Sequence, residues 1–302
     1  MDWLVRRQYL REMVKALPAS VQNRLVVLKN LQVETLKIEA EFYEEVKKLE
    51  QKYQLKYQPL FDKRKEVVVG TVDPAVEKPN WTDPEDPLTE FKWKSHFIKS
   101  LKIFKSIRQD TTGIPAFWLT IFRNVAILSQ MIESCDVPAL LKLTDVAIKY
   151  DDGHSYTLEF HFDKNAFFSN TVLTKRYVVK SSVDPDSPFA FEGPEIASCS
   201  GCEINWKKKM DLTVHSTMKT QKHKERGTVR YTSEQVPMDT FFNFFNTPED
   251  PVDVESRQIL AADFEIGHFL RSQIIPKAVL YFTGDIVDGM DDDDSEEEEE
   301  ED

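Results

Sequence analysis

The chain has 302 residues, of which 41% are hydrophobic and 11% aromatic, enough for one sizeable core and an extended element. Its formal net charge is −13 at pH 7. Cys135, Cys199 and Cys202 are too few for a disulfide framework, so we expect a reducing compartment. The longest apolar runs fall short of a membrane span, and the N-terminus resembles an amphipathic helix rather than a signal peptide. These features predict a soluble intracellular protein with no membrane partner.

Two helices are predicted at the N-terminus. Residues 3–17 form a short helix that Pro18 ends, and Ser20 is the expected N-cap of a second helix from Val21 to about Glu66. At 1.5 Å per residue the second helix would be about 69 Å long, more than the width of a compact domain of this size. Its apolar residues recur at helical spacing and form one stripe. Its central members are Leu25, Leu28, Leu31, Ile38, Phe42, Val46, Leu49 and Tyr53.

A stripe of this length requires an equally long partner. We predict that the same helix from a second copy covers it, running antiparallel across a two-fold axis. The alternative is a core helix folded under its own domain. We favour the homodimer because globular helices seldom exceed about 20 residues.

Two segments of different composition follow the long helix. Residues 70–87 are rich in proline and predict an irregular connection. Residues 89–108 place Trp93, Phe97 and Leu101 on one face and lysines mostly elsewhere, which predicts a basic amphipathic helix. We interpret it as packed with its apolar side on the long helix; a membrane-surface or partner-binding helix is the alternative.

From Ile114 the sequence predicts a compact domain. Residues 114–132 indicate one buried helix, Asp136 is expected to cap a shorter one, and Asp163 and Asp239 to cap helical turns. An Asp-Gly turn at 151–153 separates two alternating runs, which predicts an antiparallel hairpin with one buried face. The alternating residues are Val146, Ile148 and Tyr150, then Tyr156, Leu158, Phe160 and Phe162, then Leu173, Lys175, Tyr177 and Val179. Residues 181–194 are predicted to form a loop.

Residues 203–232 predict a second hairpin, which is basic. Between Lys207 and Arg230 there are eight lysines or arginines and two acidic residues. Such a cluster indicates a nuclear import signal or a nucleic-acid patch, and a solvated hairpin is the alternative. The candidate residues are Lys207, Lys208, Lys209, Lys222, Lys224 and Arg226. With a helix predicted over 254–274, helices packed on an antiparallel sheet give an α+β fold.

The C-terminus holds most of the excess charge. Asp291 to Asp302 contains eleven acidic residues and no basic one, and the remaining 41 acidic and 39 basic residues leave a net charge of −2. Dense like charges repel and cannot be buried. We predict a disordered tail that binds basic partners, with a role in solubility as the alternative.

Motifs for catalysis and metal binding are weak. Cys199 and Cys202 have the spacing of a metal or redox pair, but a structural zinc site needs four ligands and the sequence has no second pair. It also contains no glycine-rich phosphate loop, and its six histidines form no metalloprotease motif. We therefore predict a non-enzyme without catalytic residues, metal or cofactor.

Eight sequence blocks resemble one known family. They are NLQVETLKIEAEFYEEVKKLEQKYQLKYQPLFDKR, GIPAFWLTIFRN, SYTLEFHF, NTVLTKRY, EGPEIASCSGCEINWKKK, QKHKERGTV, FFNFF and ADFEIGHFLRSQIIPKAVLYFTG. The resemblance, which covers Leu10 to Gly284, is to the nucleosome assembly protein family. It implies a histone chaperone that forms a headphone-shaped homodimer through the long antiparallel helices. An acidic concave underside would hold core histones, as dimers and tetramers.

The resemblance also implies a division of the chain. Residues 1–88 would form the dimerisation helices and connection, 89–113 a basic accessory helix, 114–286 the α+β histone-binding domain and 287–302 the acidic tail. The hairpin is associated in the family with nuclear import and with contacts between dimers. This implies an import receptor, higher oligomers and shuttling between nucleus and cytoplasm. No sequence-specific contact with nucleic acid is expected.

Acidic residues in or beside the matching blocks are the candidates for histone binding on the domain: Asp136, Asp145, Glu192, Glu195, Glu203, Asp263 and Glu265. In the tail they are Asp291, Asp292, Asp293, Asp294, Glu296, Glu297, Glu298, Glu299, Glu300 and Glu301. One departure from the family is that residues 92–108 are basic where relatives are commonly acidic. The alternative function is an acidic-tailed scaffold, or a trafficking or phosphatase-regulating protein of the same superfamily.

Overall fold

The computed structural model describes residues 3–82, 110–151, 155–222, 229–246 and 254–287. Contacts divide the chain into two compact units. The first consists of Met1–Lys56, Tyr150–Tyr156 and Tyr177–Cys199, and the second of Tyr57–Lys149, Thr157–Arg176 and Ser200–Asp302. The basic helix predicted over 89–108, the turn at 152–153 and the acidic tail lie outside the described residues.

Helix α1 covers Trp3–Ala16 and helix α2 covers Ala19–Val69. With 51 residues, α2 confirms the predicted long helix. It begins earlier than predicted, because the backbone N–H groups of Val21 and Gln22 donate to the carbonyl of Pro18. Ser20 therefore lies inside the first turn, and its prediction as the N-cap is wrong.

Three short helices follow: α3 over Phe117–Asn124, α4 over Ala126–Ser129 and α5 over Val137–Leu140. The prediction of one continuous helix over 114–132 is wrong, because Val125 has extended backbone (φ −109°, ψ 119°) and separates α3 from α4. Asp136 is the N-cap residue of α5, as predicted, but its side chain makes no capping hydrogen bond to that helix.

Four strands form one sheet in the order β1-β2-β3-β4: β1 over Leu143–Tyr150, β2 over Ser155–Phe162, β3 over Val172–Lys180 and β4 over Glu195–Ser200. The Thr144 hydroxyl, near the start of β1, donates to the carbonyl of His161 at the end of β2 (3.0 Å). The N–H of Phe162 donates to the carbonyl of Thr171 just before β3 (2.8 Å). The β1–β2 and β2–β3 pairs are therefore antiparallel, which confirms the predicted antiparallel sheet.

Strand β4 was not predicted. Its sequence, EIASCS, lacks the alternation of large apolar residues, and within it only Cys199 is buried. Before β3, the side-chain oxygen of Asn165 accepts hydrogen bonds from the N–H groups of Phe167 (2.9 Å) and Phe168 (3.0 Å). This is a side-chain turn rather than a helix, so the predicted cap at Asp163 is wrong.

Strands β5, Val214–Lys222, and β6, Val229–Pro237, form a separate two-stranded sheet. They pair antiparallel, with Val214 opposite Pro237 at one end and Lys222 opposite Val229 at the other. This confirms the second predicted hairpin.

Aromatic rings build much of the core of the second unit around a 3₁₀ helix at Phe241–Phe245. The ring of Phe160 lies 5.1 Å from that of Phe245 and 5.9 Å from that of Phe244, measured between centroids. Gly201 packs directly on this helix. A Cβ atom there would lie 1.6 Å from the carbonyl oxygen of Phe245, so a side chain would force the backbone apart.

The 3₁₀ helix is capped by Thr240, whose Oγ1 accepts a hydrogen bond from the N–H of Phe242 (3.3 Å), so the predicted cap at Asp239 is wrong. Helix α6 covers Val254–Phe269, a π-helical turn covers Leu270–Ile274 and helix α7 covers Ala278–Thr283. These elements confirm the helix predicted over 254–274. Of the helices in the described ranges, none has the length and apolar character needed to cross a membrane.

Candidate functional site

One side of α2 is an apolar surface open to solvent. Between 43% and 66% of the surface of six predicted stripe residues is exposed: Leu28, Leu31, Ile38, Phe42, Leu49 and Tyr53. Leu25 and Val46 are half-buried. We call these eight residues the open stripe. Large exposed apolar surface of this kind marks an interaction site in a soluble protein.

Another side of α2 packs within its own unit. Leu36 is buried, and the ring of Tyr43 meets that of Phe191 edge-on, with centroids 6.4 Å apart. Phe191 belongs to residues 181–194, which we call the strap loop. Gly193 in this loop has φ 114°, and a Cβ atom there would lie 3.3 Å from the ring of Tyr43. Glycine therefore allows the loop to approach α2 closely.

Three of the seven predicted domain carboxylates are buried or nearly so, and Asp136 is the clearest case. It is 0% exposed, and it accepts hydrogen bonds from the N–H groups of Glu133 and Phe241, both at 2.9 Å, and from the hydroxyl of Thr240. A carboxylate enclosed in this way holds the turn before α5 against the 3₁₀ helix. The prediction of Asp136 as a contact for histones is therefore wrong.

Asp145 on β1 is 7% exposed, and its Oδ2 lies 3.5 Å from the Nζ of Lys65 near the end of α2. Burial raises the pKa of the Asp145 carboxyl above its ordinary value, although Lys65 and Arg64 act in the opposite direction. Arg64 donates to the carbonyl of Ile275 (2.6 Å) and lies over the ring of Trp118. The Asp145 carboxylate thus pairs with Lys65 and stabilises the packing of this end of α2 within the second unit.

Asp263 on α6 is paired internally. Its Oδ2 lies 2.6 Å from the Nζ of Lys175, which is fully buried in β3. The same ammonium donates to the carbonyls of Phe244 (2.8 Å) and Asn246 (3.0 Å). In the sequence, Lys175 alternates with the apolar residues on the inward side of β3. This position is a sequence signal for a buried cation. The partner could not be read from the sequence because it lies on a distant helix.

The other four predicted carboxylates, Glu192, Glu195, Glu203 and Glu265, are exposed. In the first unit, Glu192 lies in the strap loop and Glu195 begins β4. In the second unit, Glu203 follows β4 and Glu265 lies on α6. The carbonyl of Glu203 accepts a hydrogen bond from the side chain of Asn170 (3.1 Å), which fixes the backbone there. These four side chains can meet a basic partner without disturbing the core.

The basic candidates begin just before β5. Lys207, Lys208 and Lys209 are exposed. The backbone N–H of Lys207 donates to the carbonyl of Phe167 (2.7 Å), and its ammonium donates to the carbonyl of Asn165. Lys222 ends β5, whereas Lys224, Arg226 and the predicted tail residues lie outside the described ranges.

The cysteine pair shows no sign of a metal centre. Cys199 is buried and Cys202 half-buried, and both are thiols. The Sγ of Cys202 accepts a hydrogen bond from the N–H of Thr174 (3.1 Å), which is a structural contact. In the part of the chain that the structure describes, no group of three or more His, Cys, Asp or Glu residues could hold a metal ion.

The fold and these surfaces define an α+β binding protein, with an open apolar stripe on a long helix and exposed glutamates on both units. A family model described as nucleosome assembly protein (NAP) matches residues 23–285. The chain belongs to the nucleosome assembly protein family.

Relatives and solved structures agree with this assignment. The chain is 48% identical over 287 residues to nucleosome assembly protein 1-like 1-A of Xenopus laevis, covering 92% of this chain and 73% of the relative. It is 47% identical over 289 residues to human nucleosome assembly protein 1-like 4, covering 92% and 77%. The structure of nucleosome assembly protein 1 from Plasmodium knowlesi is 26% identical with a TM-score of 0.56, covering 89% of this chain and 99% of that one.

Proposed function

We propose that this protein is a histone chaperone that binds core histones, as dimers and tetramers, and promotes nucleosome assembly and disassembly. The observation that carries the proposal is the family match across residues 23–285, together with relatives named for nucleosome assembly. Histones bind DNA mainly through lysine and arginine contacts to phosphates. A chaperone must therefore offer negative charge that prevents aggregation of free histones but can be displaced by DNA.

Two sources of negative charge have different roles in this proposal. Glu192, Glu195, Glu203 and Glu265 are held on a folded framework, so they can be selective for the arrangement of basic residues on a partner. The tail from Asp291 to Asp302 contributes eleven acidic residues in twelve positions. It raises the rate of capture and adds avidity.

The proposal includes a homodimer formed through the open stripe. The strap loop packs on the side of α2 that carries Tyr43, whereas the six exposed residues of the open stripe remain accessible. An antiparallel copy of α2 offers a complementary apolar surface of equal length. Two domains linked in this way would present two sets of glutamates to one histone complex.

The basic hairpin is the proposed binding surface for an import receptor and for contacts between dimers. The support is the exposure of Lys207, Lys208 and Lys209 beside the two-stranded sheet β5–β6. Import through this surface would allow the protein to shuttle between cytoplasm and nucleus, collecting new histones and delivering them to chromatin.

The function is tested by measuring the affinity of the full chain for core histone dimers and tetramers at low and physiological salt. Neutralising the four exposed glutamates (Glu192→Gln, Glu195→Gln, Glu203→Gln and Glu265→Gln) should weaken binding roughly tenfold, about 1.4 kcal/mol. The matched control neutralises four exposed carboxylates elsewhere: Glu12→Gln, Asp73→Asn, Glu77→Gln and Asp110→Asn. It should change affinity less than twofold. A wild-type chain that releases histones at physiological salt would contradict the proposal.

A further inference from the structure

The strap loop contains a serine whose surroundings favour covalent modification. Ser187 is exposed and is followed by Pro188, which begins a three-residue 3₁₀ helix at Pro188–Ala190. Ser187 has φ −140° and ψ 57°, and its side chain makes no capping hydrogen bond to that helix. We propose that Ser187 is a phosphorylation site for proline-directed serine/threonine kinases.

Pro188 is the residue by which a proline-directed kinase would select Ser187. A residue after the phosphorylated serine normally brings a backbone N–H, which loses free energy if it is buried in an enzyme cleft without an acceptor. Proline has no N–H and therefore avoids this loss. A kinase cleft that lacks an acceptor at this position accepts Ser187-Pro188 and rejects most other sequences. Ser182, which is exposed in the same loop, is followed by Val183 and lacks this feature.

The backbone around Ser187 can also reach a kinase cleft. Its N–H donates to the carbonyl of Asp184 (3.2 Å), and its carbonyl accepts from the N–H of Ala190 (3.0 Å). Both contacts are local turns outside the strands, and water can replace exposed bonds of this kind at small cost. Rearranging this segment leaves the β3 and β4 pairing in place.

The charged residues near Ser187 determine the electrostatic effect of a phosphate in this loop. Asp184, Asp186 and Glu192 make the loop acidic, while the Nζ of Lys29 on α2 lies 5.6 Å from the ring centroid of Phe189. A phosphoserine adds about 1.5 to 2 negative charges at neutral pH. A hydrogen-bonded phosphate attracts an ammonium more strongly than an aromatic ring does. Phosphorylation would therefore add negative charge to an already acidic loop, two residues before the ring that Lys29 contacts.

In the reaction, the Oγ of Ser187 attacks the γ-phosphorus of ATP in the kinase. The new O–P bond forms as the bond from the γ-phosphorus to the β-phosphate oxygen breaks, and ADP leaves. The hydroxyl proton passes to the kinase carboxylate that acts as base.

The test incubates the folded full chain with ATP and a proline-directed kinase, with a Ser-Pro peptide as a check on kinase activity. Site-resolved mass spectrometry then measures phosphate on Ser187 separately from Thr247, which precedes Pro248. We expect labelling of Ser187 in the wild type and at least a tenfold lower rate in Pro188→Ala. Ser182→Ala is the matched control and should leave the rate unchanged. No phosphate on Ser187 of the folded chain, or equal labelling in Pro188→Ala, would overturn the proposal.

Discussion

Lys175 and Asp263 form an ion pair in which the ammonium nitrogen lies 2.6 Å from the carboxylate oxygen, with the lysine side chain 0% and the aspartate side chain 13% exposed. The lysine also binds the carbonyls of Phe244 and Asn246, so one cation joins β3, α6 and the end of the 3₁₀ helix. Removing one member of a buried pair leaves the other charge without its main compensation, which is far costlier than removing both.

We expect Lys175→Met to lower the free energy of unfolding by roughly 3 to 5 kcal/mol, because the Asp263 carboxylate then loses the ammonium that lies 2.6 Å from it. The double variant Lys175→Met/Asp263→Leu should lose clearly less than the sum of the single variants. Urea denaturation of all four proteins gives the coupling free energy. Strictly additive losses would show that the two side chains do not interact.

The raised pKa of the Asp145 carboxyl predicts an unusual pH dependence of the free energy of unfolding. Burial raises the pKa of its carboxyl above the ordinary value of 3.8, so the folded state holds this proton more tightly than the unfolded chain does. The stabilising contribution of this proton is present in acid and is lost as pH rises through the folded pKa. Asp145→Asn cannot titrate and serves as the reference.

The free energy of unfolding of the wild type, measured relative to Asp145→Asn, should therefore fall as pH rises from about 4 towards neutrality. Urea denaturation at several pH values measures this difference. A relative stability that increases over the same range would mean that Lys65 and Arg64 outweigh burial.

The open stripe is tested by placing charge on it. Leu28→Glu, Phe42→Glu and Leu49→Glu together should abolish the dimer, because six carboxylates would face each other across an antiparallel pair of α2 helices. Light scattering should then report the 35.1 kDa monomer or an unfolded chain, instead of about twice that mass.

The control for the stripe variant places glutamates on exposed polar positions of another side of α2: Asn23→Glu, Asn30→Glu and Lys37→Glu. This variant should remain dimeric and folded. A stripe variant that remains dimeric would contradict the proposed dimer interface.

Deletion of Asp291 to Asp302 separates the tail from the domain. It removes eleven of the net thirteen negative charges, so the association rate with histones should fall at low salt. Equilibrium binding should survive with a loss of about 1 to 2 kcal/mol. Stopped-flow kinetics and equilibrium titration measure the two effects. Complete loss of binding on deletion, with no effect of neutralising the domain glutamates, would place recognition in the tail alone.

The basic hairpin is tested by changing its six candidates to alanine: Lys207, Lys208, Lys209, Lys222, Lys224 and Arg226. We expect the fold to remain, because Lys207, Lys208 and Lys209 are exposed and substitutions at the surface typically change stability by about 0.5 kcal/mol or less each. Nuclear accumulation of a fluorescent fusion, or association of dimers in sedimentation, should fall. If both remain at wild-type levels, the hairpin is only a solvated surface.

The regular spacing of apolar residues predicted strand β2 and helix α2 well. In β2 the alternating residues follow the burial of one face, whereas the stripe spacing of α2 predicted the helix although most of the stripe residues are exposed. Strand β4 was missed because its side chains are small or polar, and its place depends on pairing with β3. The break at Val125 was missed because it interrupts no apolar pattern.

Whether each carboxylate side chain is buried or exposed could not be predicted from its position in the sequence. Asp136 and Glu203 both lie in or beside the family blocks, yet the first is wholly buried and the second exposed. The difference depends on donors brought by the chain from far away, such as the hydroxyl of Thr240. A carboxylate can be inferred to lie at the surface from sequence only where no residue distant in sequence donates hydrogen bonds to it.

The bond between Asp136 and Phe241 also bears on how the protein is made. These residues are 105 positions apart in the sequence, and contacts of such long range slow folding because a large loop must close first. During synthesis, at about 5 to 20 residues per second, Asp136 emerges many seconds before Thr240 and Phe241. Until those two residues leave the ribosome, its carboxylate lacks two of its hydrogen-bond donors, and the aromatic core cannot close around it. The nascent domain must therefore remain open until Phe241 has left the ribosome.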